Sequence, residues 1–372
     1  MNKKPDIVTS DWNYFAEADL FNLNNFIEGY LSHHSGDDYG ALFITKVNYR
    51  PVPQLIYCTP KIIYPFDATG HWRFPKAKII ERYEKLDGTN VFAYSYVDEK
   101  GEKFVSYKTR LKPFLSNSKF GPFADLWKDV TKDTRHRLEV AIKAQGMNVA
   151  FELWGARNPH LVKYDISLQA SMLFVRKGQV ILPPSQVNWY DGVGLPSAAL
   201  TGAVEKGYVW TYRNTQEQIG AALKETEDGY LGQEGEVWYL LDESGVWNLY
   251  KLKPHEIEAI HWAAGGIGRN VIVATCHKAC ENWDDPTIEN VMQVMLEDFN
   301  QQEIDKVYYS IEKHLGEVKQ QYAFRQEVME VYNIIGVSIL MDKISVMRAM
   351  SSKFSKHDMG RVYSVIMSNV VS

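Results

Sequence analysis

Long apolar runs are missing from this chain. The longest nearly continuous one, Val331 to Met341, falls well short of the ~20 residues that a membrane helix requires, so no membrane segment is expected. Cysteine is scarce as well. Three residues cannot build a disulfide framework, and an odd count fits a reducing cytoplasm, so a cytoplasmic location is expected, in the host cytoplasm if the protein is viral. The start, Met1-Asn2-Lys3-Lys4-Pro5-Asp6, lacks the apolar centre of a secretory signal, which agrees with that expectation. A basic excess is also absent. With 41 Lys and Arg against 46 Asp and Glu, the formal net charge of −5 excludes a protein coated in cations, although it allows a local basic groove. No internal repeat or low-complexity tract is present, which excludes a solenoid.

What the chain does have is length and apolar content. Its 372 residues, 45% hydrophobic and 13% aromatic, suffice for two domains with a sizeable core. A helix is expected around Asp11 to Leu31, followed by short strands and turns through Pro51, Pro53, Pro60 and Pro65. From Lys85 to about Lys253 the pattern is mainly β: Phe92, Tyr94 and Tyr96 alternate, and Phe104 to Lys108, Val149 to Trp154 and Ser171 to Val175 are further β-rich runs. Helix interrupts them around Phe123 to Gln145, with Gly146 placed to stop it. After His255 the period changes. Asp285 is a candidate cap for a helix with Ile288, Val291, Met292, Met295, Leu296 and Phe299 on one face. Ile304, Val307, Tyr308, Ile311, Leu315 and Val318 repeat that spacing, and Tyr322 to Met350 continues it. The expected fold is therefore α+β with antiparallel sheets over residues 1–255, then a mostly helical domain over 256–372.

Cys276, His277 and Cys280 could form part of a zinc site, but no fourth ligand lies close in sequence, and a structural role is the preferred reading. Cys58 reads as a small apolar side chain.

More chemistry is carried by Glu84-Lys85-Leu86-Asp87-Gly88-Thr89-Asn90, a lysine just before a glycine turn that enters a strand. A lysine can attack an electrophile at neutral pH only if desolvation or nearby cations favour its neutral form. A second cation ~5 Å away at an effective dielectric of ~20 costs the charged form ~3 kcal/mol, about two pKa units. Cations are available in Val246-Trp247-Asn248-Leu249-Tyr250-Lys251-Leu252-Lys253, where strand alternation places Lys251 and Lys253 on one face. Alone, that pair would be a solvated strand face. Glu152, within Phe151-Glu152-Leu153-Trp154-Gly155, is a carboxylate in a run apolar enough to be buried, so it requires a partner: a sugar hydroxyl, a metal-bound water or a lysine.

Taken in order, these segments resemble the covalent nucleotidyltransferase superfamily of ATP-dependent ligases and capping enzymes, over roughly residues 85 to 253. Lys85 to Asn90 is similar to the nucleophile motif, Thr109-Arg110 to the following element, and Phe151 to Gly155 to the third motif. Phe174 in Leu173-Phe174-Val175 resembles the base-stacking aromatic, Glu234-Gly235-Glu236-Val237 the fourth motif, and Lys251-Leu252-Lys253 the fifth. Gly88-Thr89-Asn90 resembles RNA ligases, whereas DNA ligases and capping enzymes usually carry arginine at the position of Asn90 and an Arg-x-Asp-Lys motif in a strand-rich tail. The helical region after 255 is similar to the extra domain of phage-type RNA ligases, though Thr109-Arg110-Leu111 departs from some of them.

The resemblance implies ATP as AMP donor, Mg²⁺ with Mn²⁺ as an alternative, and RNA carrying 5′-phosphate and 3′-hydroxyl ends as partner. It implies that Lys85 becomes adenylated, that Lys251 and Lys253 hold the α-phosphate, and that Glu234 holds or orients the metal. Glu152 would bind the ribose or a metal-bound water, Phe174 would stack on adenine, and Glu84 would recognise its amino edge. Asn90 and Arg110 are candidates for gripping the RNA phosphate or adenylate, and Arg50 and Lys76 for binding pyrophosphate, with ordinary surface charge the equal reading of the last two. The helical tail could recognise an RNA shape or provide a packing surface. Two alternatives stand beside an RNA ligase: a DNA or mixed-substrate ligase, and a non-catalytic nucleic-acid-binding protein. Oligomeric state is not legible in the sequence.

Overall fold

The computed structural model describes residues 8–9, 11–33, 36–65, 77–160, 162–204, 224–226, 229–231, 234–252, 267–296 and 299–370. Its first sheet has the order β1 (Trp12–Ala18), β2 (Phe26–Ser32), β3 (Leu42–Val47) and β4 (Arg50–Ile56), each strand antiparallel to the next. The helix expected over Asp11 to Leu31 is therefore two strands. Asp19 and the asparagines after it decide this: the Phe21 backbone N–H and the Asn22 amide both donate to the Asp19 carboxylate, closing a turn that a helix could not contain. Beyond it, Ile27, Gly29 and Leu31 are buried while Glu28 and Tyr30 are not, a period of two. Pro51 and Pro53 lie in β4, at the sheet edge where a missing N–H is tolerated.

The β-rich middle builds two further sheets. Strands β5 (Ala77–Glu84), β6 (Thr89–Val97), β7 (Lys103–Lys108), β8 (Asn148–Trp154), β9 (Gln169–Lys177) and β10 (Val180–Leu182) follow in the chain. After them come β11 (Leu200–Val204), the small pair β12 (Lys224–Thr226) and β13 (Gly229–Leu231), then β14 (Glu236–Asp242) and β15 (Trp247–Leu252). One sheet has the order β10-β9-β8-β6-β7 and the other β11-β5-β14-β15. Lys85 thus lies in the short link by which the chain leaves one sheet at Glu84 and enters the other at Thr89. Helices α1 (Phe123–Val130) and α2 (Arg135–Gln145) cover one face of the five-stranded sheet, burying Trp127, Leu138 and Ile142 against Val91, Phe151 and Met172. The single expected helix is broken at Thr131, and α2 ends as expected at Gly146, whose φ of 62° suits a residue without Cβ. The other face meets the N-terminal sheet and β5 in a core containing Ile27, Leu42, Phe92, Tyr94 and Tyr83.

After residue 267 the described chain is helical: α3 (Arg269–Asn282), α4 (Ile288–Met295), α5 (Gln301–Lys306), α6 (Tyr308–Ile335), α7 (Lys343–Met350) and α8 (Met359–Val370). The expected stripe is present on α4 through Ile288, Val291, Met292 and Met295, while Leu296 is exposed past the helix end; the cap is Thr287, whose hydroxyl accepts from the Asn290 N–H while the Asn290 side chain accepts from the Thr287 N–H. Asp285 instead pairs with Lys119 and Lys319. The helices form two cores. One, around Ile272, Cys276, Ile311 and Val318, includes Phe120 from the sheet region; the other gathers Val328, Val346, Met350, Val362 and Ile366. Burial of a Phe ring contributes about 2 kcal/mol, so Phe120 is a substantial anchor of the first helical core on the sheets. No helix among the described residues is long and apolar enough to cross a membrane.

Candidate active site

Antiparallel pairing of β5 with β14 sets Glu84 opposite Glu236. One residue further on, the Lys85 N–H donates to the Gly235 carbonyl at 2.9 Å, which aligns Lys85 with the Glu234-Gly235 segment. The Lys85 ammonium then forms an ion pair with the Glu234 carboxylate. The two side chains are 21% and 6% exposed, so the pair is largely withdrawn from water.

The following loop is fixed at Asp87 and Gly88. The Asp87 N–H donates to the Tyr164 hydroxyl at 2.8 Å, and the Val162 N–H donates to the Asp87 carboxylate at 2.7 Å. The Gly88 N–H donates to Glu152 at 3.1 Å, which supplies part of the partnership that this buried-strand carboxylate requires. Glycine is needed at 88 because a Cβ there would lie 2.3 Å from the Leu153 carbonyl oxygen and 2.9 Å from the Trp154 Cβ. Trp154 donates to Ser171 and meets the Tyr164 ring edge-to-face at 4.6 Å, so two half-buried aromatic rings stand beside the loop.

Electrostatics here differ from expectation. Burial alone would lower the Lys85 pKa, but the charges of Glu234, Asp87 and Glu152 outweigh it and hold the pKa above the ordinary lysine value. The expected lowering by cations is not the condition of this site. Burial pushes Glu152 up to about 7 against the attraction of Lys85, with Glu281 adding repulsion. Asp87 is raised by burial and then by the Glu234 charge. Three carboxylates facing one lysine form a site short of positive charge, and their oxygens are the donors that a hard divalent cation prefers. No group of three or more His, Cys, Asp or Glu among the described residues is placed to hold a metal alone. A divalent cation at this place would therefore take only part of its ligands from these carboxylates.

Lys251 pairs across the sheet with Val237, itself opposite Tyr83, so Lys251 lies on the sheet face of Tyr83, two residues before Lys85 in the chain. Its ammonium is 4.9 Å from the Tyr64 ring centroid. Tyr250 and Leu252 are buried on the other side, as alternation predicts. Lys253 and Lys76 lie outside the described residues. Glu84 is half-buried, with its carboxyl pKa raised by burial.

Asn90, Arg110 and Phe174 are engaged within the protein. Asn90 accepts from the Thr59 hydroxyl at 2.7 Å and donates to the Phe151 carbonyl at 3.1 Å. The Arg110 guanidinium lies 5.1 Å from the Tyr39 ring centroid and 3.4 Å from the Pro60 carbonyl. Phe174, 1% exposed, is a core residue opposite Ala150, so in this structure both faces of its ring are covered. Arg50 is exposed at the start of β4.

Sequence reasoning missed a buried polar cluster behind the loop. Thr89 and His160 both meet the Glu281 carboxylate, at 3.1 and 2.6 Å, and Asn158 donates to Thr89 and to the Leu153 carbonyl. His277, from the group considered for zinc, faces the Tyr322 hydroxyl at 2.9 Å, while Cys276 and Cys280 are buried in the helical core. The available signal was Glu281 itself, a charge in the otherwise buried face that carries Cys276, His277 and Cys280.

No family model matches the chain, and no curated protein does. Its fold is similar to those of solved ligases. An archaeal ATP-dependent RNA ligase aligns at 16% identity and TM-score 0.46, over 86% of this chain and 76% of that one. A putative ATP-dependent DNA ligase from Aquifex aeolicus aligns at 14% and 0.42, over 93% and 86%. A Naegleria gruberi RNA ligase variant, solved with ATP and Mn, aligns at 13% and 0.35, over 49% of this chain and 51% of that one.

Proposed function

We propose that this protein is an ATP-dependent RNA ligase that works through AMP covalently attached to Lys85, using residues 1–255 as adenylation domain and 256–372 as helical domain. The observation that carries the reading is the largely buried Lys85–Glu234 pair at the junction of two sheets, set among Asp87 and Glu152. A lysine held there in a surplus of carboxylate is suited to a reaction that brings a polyphosphate and its cation.

In the first step the Lys85 Nζ lone pair attacks the α-phosphorus of ATP, an N–P bond forms, the bond to the β-phosphate oxygen breaks, and pyrophosphate leaves with that electron pair. Lys85 must first release a proton, and Glu234 is the nearest ion-pair partner to receive or relay it. Glu234 would hold Mg²⁺, which would supply charge neutralisation. Lys251 and Lys253 are assigned to the α-phosphate, Glu152 to the ribose or a metal-bound water, and Glu84 to the base. Arg50 and Lys76 are assigned to the leaving pyrophosphate. In the second step a 5′-phosphate oxygen of RNA attacks the same phosphorus and releases Lys85. In the third, a 3′-hydroxyl attacks the activated 5′-phosphorus, forming the phosphodiester and releasing AMP. Phosphoryl transfer of this kind rests on in-line positioning and charge stabilisation.

RNA is assigned over DNA on Gly88-Thr89-Asn90 and the helical tail. Competition between matched RNA and DNA strands bearing 5′-phosphates, with ATP and Mg²⁺, tests it. RNA joining should dominate, and equal or preferred sealing of DNA would make the protein a DNA or mixed-substrate ligase.

A further inference from the structure

The C-terminal end of α3 reaches the back of the nucleophile loop. There the Leu111 N–H donates to the Asn282 side chain at 2.9 Å, and Lys112 pairs with Asp284 at 2.9 Å, so two contacts lock the helix end to the segment after β7. Between them and the loop stands Glu281, 5% exposed. Its carboxylate accepts from the Thr89 hydroxyl and meets His160 Nε2. The other ring nitrogen of His160, Nδ1, faces the Asn158 carbonyl at 3.0 Å. Since both ring nitrogens face acceptors, the geometry suits an imidazolium, which in this buried place requires the Glu281 charge.

Thr89 and His160 are each two residues from a group that fixes the loop. Asp87 precedes Thr89 by two positions and receives the N–H of Val162, two positions after His160. Glu281 thereby ties together the two chain segments whose mutual bonds set the path from Lys85 to Thr89.

We propose that Glu281 is a positioning residue contributed by the helical region, holding Thr89 and His160 so that Lys85 is aligned for attack on ATP. The proposal rests on the ligase reading above. It goes beyond it by making the first, lysine-dependent step depend on a residue outside the adenylation domain. The later joining step does not use Lys85 as nucleophile and should be less sensitive to this alignment. An ion pair that only stabilises the fold would affect all steps alike.

The test uses full-length protein carrying Glu281→Gln, and the double variant Glu281→Gln with His160→Gln, which removes the imidazolium left without its counter-charge. Two rates are measured: protein–AMP formation across ATP concentrations, and joining of an RNA strand that already carries AMP on its 5′-phosphate. Glu281→Gln should slow adduct formation at saturating ATP by about tenfold or more, with the KM for ATP changed less than about twofold and joining of the preactivated strand less than about threefold. The double variant should recover part of the adduct rate, since coupled residues are not additive. Equal losses in both steps, an adduct rate at the wild-type level, or a double variant no better than the single one would overturn the proposal. If Glu281→Gln alone does not fold, the same split between steps is required of the double variant. Wild-type protein that forms no adduct would instead refute the ligase reading, and this proposal with it.

Discussion

An ammonium held against carboxylates is a poor nucleophile, and Lys85 is held that way by Glu234, Asp87 and Glu152. In the proposed reaction Glu234 must therefore be drawn toward other cations or accept a proton before attack. Two substitutions address these roles. Glu234→Ala removes the ion-pair partner and the assigned metal contact, and Lys251→Ala removes the cation assigned to the α-phosphate. Each should lower the rate of protein–AMP formation by about a hundredfold or more, in line with the ~3 kcal/mol typical for loss of one electrostatic stabiliser. Circular dichroism should report an unchanged fold. Near-normal adduct formation in both variants would remove these residues from the site. At this scale the sequence was informative where chemistry is local. Lys85, Glu234 and Glu152 could be named from short segments, and the structure brings them together. His160 and Glu281 were not named: Glu281 shows in the sequence only as a charge on a buried helix face, and no short segment points to its meeting with His160.

The buried element linking α3 to β6 has its own pH signature. Burial lowers the His160 pKa, but the hydrogen bond and charge of Glu281, with Asp87, outweigh it and raise the value to about 9. A base with a raised pKa stabilises the fold fully below its unfolded value near 6.5, and this contribution is lost as pH rises through about 9. The shift corresponds to a contribution on the order of 3 kcal/mol. Neighbouring His277, held by burial at about 3, is neutral in the folded protein throughout that window. Chemical denaturation from pH 6.5 to 9.5 should show wild-type stability falling, and His160→Gln should flatten that part of the curve. An unchanged slope in the variant would assign the dependence elsewhere. Elements were legible where period and turn agreed, as in β6 to β9 and the helices after 285. The N-terminal strands were not, since turn formation by Asp19 through side-chain acceptors competes with a helical reading of the same residues. Phe174 shows a related gap: strand alternation gives a side of the sheet, but only the packed N-terminal sheet shows that this side is closed.

For the whole molecule, the expected boundary near 255 predicts that residues 1–255 retain some adenylation without the helical tail. The structure changes that expectation, because Thr89, His160 and Phe120 all have partners beyond residue 267. A chain ending at 255 should lose most adduct formation. One ending at 326 keeps the first helical core and Arg325, which donates to the Ala156 carbonyl, and should retain it. Comparison of the two truncations by adduct yield per folded protein checks this, and an active 1–255 fragment would restore the simpler division.

The central claim is that Lys85 carries AMP. Full-length wild-type protein and Lys85→Ala, incubated with ATP labelled at the α-phosphate and Mg²⁺ and then separated by denaturing electrophoresis, test it most directly. A labelled band is expected for wild type and not for Lys85→Ala, while the variant still joins a strand already bearing AMP at its 5′ end. A labelled band of equal intensity in Lys85→Ala would contradict the assignment of the nucleophile and the mechanism built on it.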